Sequence, residues 1–119
     1  MVSRIIPLVA AALAAGIASA DAHAFLKHAI PAVGSQVPAS PATLDLSFTE
    51  GVVPHFSSVA VLDPSGQAVR TGQLRAAGNG RNLVVPLPPL PPGTYTVVWH
   101  VTSQDTHKTE GRFNFTVAR

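Results

Sequence analysis

Cysteine is absent from the whole chain, and the only methionine is Met1. The first absence removes disulfide staples and thiolate chemistry, so an exported form of this protein must be held together by its apolar core. The second leaves the rest of the chain without a thioether, and so without any soft sulfur ligand for a metal ion. Charge is sparse as well: Asp, Glu, Lys and Arg make up 12% of the 119 residues, and the formal net charge is +2. Arg70, Arg75, Arg81 and Arg112 are scattered rather than clustered, which argues against nucleic acid as a partner. Beyond residue 22 no stretch carries a convincing helical period. The long apolar run, Ile5 to Ala18, is shorter than the roughly 20 residues that cross a bilayer as a helix.

What remains is a chain that is 46% hydrophobic with 11 prolines and 9 glycines, a composition suited to one folded β domain. Residues 1–22, MVSRIIPLVAAALAAGIASADA, combine an early arginine, an apolar centre and small residues at Ala20 and Ala22. That is the three-part pattern of a secretory signal peptide. Cleavage is expected after Ala22, leaving residues 23–119 as the mature domain, with His23 as its first residue and no stable membrane insertion.

Within the mature chain, apolar residues recur at every second position. Leu44, Leu46 and Phe48 alternate with Asp45 and Ser47, and Leu83, Val85 and Leu87 repeat the pattern. Tyr95, Val97, Trp99 and Val101 share one strand face, as do Phe113, Phe115 and Val117, and this period of two marks half-buried strands. Phe25 to Ile30 reads as a first strand, and Pro31 to Pro41 as a loop. The stretch from Ser57 to Gly72 reads as a hairpin turning at Asp63-Pro64-Ser65-Gly66. About seven short strands separated by turn signals predict a two-sheet antiparallel sandwich, with a small barrel as the alternative.

Five histidines are present: His23, His28, His55, His100 and His107. His23 stands apart, because cleavage would give it a free α-amine beside its imidazole, and the two nitrogens can chelate one metal ion without help from a folded neighbour. Asp105 and His107 are two apart; on a continuing strand both side chains leave the same face. The plainer reading of that stretch is a polar turn between strands. Together these residues supply three nitrogens and one oxygen, a set suited to Cu(II) in a tetragonal plane and usable by Zn(II) in a tetrahedron. His55 has no visible tie to the others, and His28 is expected to point to the opposite face from His23.

The stretches HAFLKHAIPAVGSQV, LDLSFTEGV, LPPLPPGTYTVVWHVTSQDTH and GRFNFTV resemble the CopC/PcoC family of periplasmic copper-resistance proteins across essentially all of residues 23–119. The resemblance implies an immunoglobulin-like Greek-key β-sandwich in the periplasm that carries or stores Cu(II), alongside an inner-membrane copper importer. It places the metal ligands on His23, Asp105 and His107, and puts the acidic Glu50 near the copper as an outer or weak axial group. Some members have a further methionine-rich Cu(I) site, for which residues 23–119 lack every methionine. Two other readings compete: a copper mono-oxygenase built on the amino-terminal histidine, and a structural sandwich module with no specific metal. The expectation is a binding protein, not an enzyme.

Overall fold

The computed structural model describes residues 23–119; the expected signal peptide, 1–22, lies outside the described residues. Alternating sequence becomes alternating burial. Leu44, Leu46 and Phe48 are at most 2% exposed, and Tyr95, Val97, Trp99, Val101, Phe113, Phe115 and Val117 at most 7%. Each such side chain contributes about 1.5–3 kcal/mol when fully withdrawn from water. Their aromatic members interlock: Trp99 meets Phe48 edge-on with centroids 5.2 Å apart, and Tyr95 stacks on Phe115 at 5.8 Å.

The described residues form eight strands: β1 (Leu26–Ile30), β2 (Gln36–Val37), β3 (Thr43–Phe48), β4 (Ser58–Leu62), β5 (Arg75–Ala77), β6 (Asn82–Pro86), β7 (Gly93–Thr102) and β8 (Lys108–Val117). They make two four-stranded sheets, β1-β3-β6-β5 and β2-β8-β7-β4. The fold is therefore a β-sandwich rather than a closed barrel, with its core between the sheets.

Three details differ from the sequence reading. The segment from Pro31 to Pro41 is not wholly a loop: Gln36 and Val37 pair with β8, and this pair is parallel, unlike every other strand pair of the sandwich. The segment covers an edge that would otherwise expose unpaired backbone groups, with Gly34 N–H donating to Asn114 and Ala118 N–H to Val37. The expected hairpin after β4 is cut short. Asp63 accepts the backbone N–H groups of Ser65 and Gln67 and forms the turn, but the return run keeps only one bridge, Leu62 to Ala68. That run, Gln67 to Arg70, offers Val69 as its single large apolar residue, too little to hold a strand on the core. The chain instead crosses to the first sheet as β5.

The third difference concerns β7 and β8. They pair without interruption from Gly93↔Val117 to Thr102↔Lys108, so residues 103–107 are the turn at the end of a long ribbon. Asp105 and His107 lie on that turn, the plainer reading of their stretch, so the continuing strand on which a shared face was argued does not form.

Candidate metal centre

The turn is organised by one hydroxyl. Ser103 is 2% exposed; its N–H donates to the His107 carbonyl at 2.8 Å, and its Oγ accepts the His107 N–H at 3.2 Å. The same hydroxyl donates to Oδ1 of Asp105. Thr106, at the tip, adopts φ +74°, a left-handed conformation that is uncommon for a β-branched residue and turns the chain back towards β8. Asp105 and His107 are thus brought to one side by a tight turn rather than by strand pleating. Oδ2 of Asp105 lies 3.3 Å from Nδ1 of His107.

Electrostatics favour an anionic Asp105. The Ser103 hydroxyl holds its carboxyl below the usual carboxylate range, partial withdrawal from water opposes this, and His107 reinforces the lowering. A carboxylate that stays ionised is a ready oxygen donor for a cation.

His23 reaches the turn from the other end of the chain. Its ring centroid is 4.5 Å from that of His107, the planes inclined at 42°. Ala24, next along, is buried at 1% exposure, and Phe25 N–H donates to the Thr49 hydroxyl at 3.0 Å. Glu50 therefore follows directly on a residue bound to the amino-terminal segment, and Gly51, after it, accepts the Gln104 N–H at 3.0 Å. Glu50 itself is exposed.

The remaining histidines are elsewhere engaged. A bulge at Lys27 shifts the β1 register so that His28 faces Ser47, and His28 Nε2 lies 3.3 Å from the Ser47 hydroxyl on the outer face of the first sheet. His100 pairs across the ribbon with Glu110 at 3.0 Å, and His55 lies in a short 3₁₀ helix, Pro54–Phe56.

Among the described residues no three His, Asp or Glu side chains are already gathered as a metal cage. The three candidates touch in two pairs that share His107, with the Asp105 oxygens turned to Ser103 and His107. Their chemistry nevertheless fits a copper ion: imidazole nitrogens, one anionic oxygen and no sulfur. Sequence reasoning missed Ser103, Thr49 and Thr109, whose hydroxyls hold the ligand-bearing segments. The available signal was a serine two residues before Asp105, since short hydroxyl side chains commonly bond nearby backbone and turn groups.

The CopC domain family model matches residues 26–118. The chain is 44% identical over 98 residues to Protein YobA of Escherichia coli K12, covering 81% of this chain and 79% of that one. In structure it is similar to CopC from Methylosinus trichosporium OB3b, with TM-score 0.76, 37% identity, and 81% and 94% of the two chains covered. PcoC, a methionine-rich copper resistance protein from Escherichia coli, gives TM-score 0.73 at 33% identity, with 81% and 99% covered.

Proposed function

The chain belongs to the CopC family, and from that premise we propose that it is a periplasmic copper-resistance protein that binds Cu(II) as cargo, for tolerance, storage or delivery. The ligands in this reading are the α-amine and imidazole of His23, a carboxylate oxygen of Asp105 and an imidazole nitrogen of His107. The carrying observation is the meeting of His23 and His107 rings at 4.5 Å beside the Asp105 carboxylate, although the residues are separated by most of the domain's sequence.

The donor set supports Cu(II) over Cu(I). Residues 23–119 contain neither cysteine nor methionine, so the soft ligands that favour Cu(I) are missing, and affinity among divalent first-row ions peaks at copper. Glu50 acts from outside the equatorial set, on a segment bonded to Phe25 through Thr49 and to Gln104 through Gly51. The protein works by binding rather than by catalysis. Export through a leader cleaved after Ala22 supplies the free amine, and an inner-membrane copper importer is the partner this role calls for.

The test is substitution with Cu(II) titration of the exported, processed protein. Asp105→Ala and His107→Ala each lower affinity by orders of magnitude, whereas His55→Ala changes it little. Equal losses from all three would reject the ligand assignment.

A further inference from the structure

The end of a chain is ordinarily a poor place for a fixed ligand, because terminal residues fray unless they are tied down. Here the segment His23 to Phe25 is tied from both sheets. On one side the Thr49 hydroxyl accepts the Phe25 N–H at 3.0 Å, while the Thr49 N–H donates to the Phe25 carbonyl at 2.9 Å. On the other, the Thr109 hydroxyl donates to the Ala24 carbonyl at 2.6 Å, a bond between residues 85 positions apart. Thr49 follows β3 of the first sheet and Thr109 lies in β8 of the second, so the arm is stitched across the seam of the sandwich. Thr109 has a further property: it stands on the strand that leaves His107. One side chain thus fixes the amino-terminal arm relative to the segment that bears the other imidazole.

We propose that Thr109 is a positioning residue for copper capture, its bond to the Ala24 carbonyl holding His23 against His107 before the metal arrives. The inference rests on the reading above, in which the His23 terminus is a ligand. A free arm would lose conformational freedom on binding the metal; an arm already bonded has lost it on folding. Threonine suits the task because β-branching restricts its χ1, which keeps the hydroxyl aimed at the carbonyl. Valine preserves the shape and removes the donor, and serine preserves the donor.

The experiment compares Cu(II) affinity, by competition titration, in four proteins: chains starting at His23 and chains carrying one extra alanine before it, each with Thr109 or Thr109→Val. With the native terminus the substitution lowers affinity about 10- to 100-fold, the range typical of residues that orient metal ligands, and Thr109→Ser restores most of it. With the extra alanine the same substitution has a clearly smaller effect, because the α-amine that Thr109 helps to position is already lost and only the His23 ring remains to be held. An equal loss in both backgrounds would overturn the proposal, since Thr109 would then act through general packing. No loss in either would also overturn it, while leaving the dependence on a free terminus, and with it the functional reading, intact. Equal affinity of the two Thr109 parents would instead overturn the functional reading and the proposal together. Thermal melts of the metal-free proteins check folding, and Thr109→Ala replaces the valine variant if that variant does not fold.

Discussion

Gly111 stands opposite Trp99 in the β7–β8 ribbon, and replacing it with alanine tests how tightly that ribbon is packed on the core. A Cβ at this position would lie 2.5 Å from Cζ2 and 2.8 Å from Cε2 of Trp99. Carbon atoms in good contact need about 3.5–4.0 Å, so the indole must retreat by roughly 1 Å. Retreat is obstructed, because Trp99 is 6% exposed and packs in a T-shaped pair with the Phe48 ring, centroids 5.2 Å apart. Overpacking of this kind costs about 1–3 kcal/mol, offset by about 0.4–1 kcal/mol from the stiffer unfolded chain. The net loss of roughly 1–2 kcal/mol lowers the melting temperature by about 4–16 °C in a domain of this size. Trp99 is the only tryptophan, so its emission reports on this contact alone and should shift in the folded variant. Copper affinity should hold, since Gly111 pairs with Trp99 inside the ribbon, outside the 103–107 turn that carries Asp105 and His107. A melting temperature within about 2 °C of the parent, with unchanged emission, would refute the reasoning.

Ser103→Ala removes the hydroxyl that lowers the Asp105 pKa, so that pKa rises towards the ordinary carboxylate value, as a carboxyl-carbon NMR titration of Asp105 would measure. A depressed carboxylate pKa adds stability above its unfolded value and loses it as pH falls through the folded value; in Ser103→Ala the acid limb of the stability–pH curve is therefore shallower. An unmoved Asp105 titration would show that the hydroxyl is not aimed at the carboxylate. Glu50→Gln should alter the copper spectrum and lower affinity no more than about 10- to 100-fold; abolition of binding would make Glu50 a direct ligand. His100→Ala breaks the pair with Glu110 on an exposed face and should leave Cu(II) titrations unchanged, so a large loss there would point to a different site.

The sandwich was legible because its strands are half-buried: Leu44, Leu46 and Phe48, or Phe113, Phe115 and Val117, announce a face by period alone. β2 was not, because two residues between prolines carry no period, and their pairing is decided by the open edge of β8. The return after Asp63 was misread for the opposite reason: a strong turn signal was followed by a run too polar to hold a strand. At the candidate site, the residue types and the pairing of Asp105 with His107 were readable, but the reason for their closeness was not. The shared strand face was argued only for a strand that continued; a Ser103-centred turn with Thr106 at positive φ, within the polar turn that was the plainer reading of the stretch, is what brings them together. The contact between Thr109 and Ala24 depends on the tertiary path of the chain, which no local pattern encodes.

The most direct measurement of the central claim is a Cu(II) titration, with electron paramagnetic resonance, of two exported proteins that differ by one alanine before His23. Every side chain is the same in both, and the apolar core between the sheets is untouched. The account predicts that the protein starting at His23 binds far more tightly, that its spectrum carries one more equatorial nitrogen, and that its affinity rises with pH as the amine and imidazoles lose their protons. Indistinguishable affinities and spectra would contradict it, because His23 would then act at most through its ring and the amine would have no part in holding copper.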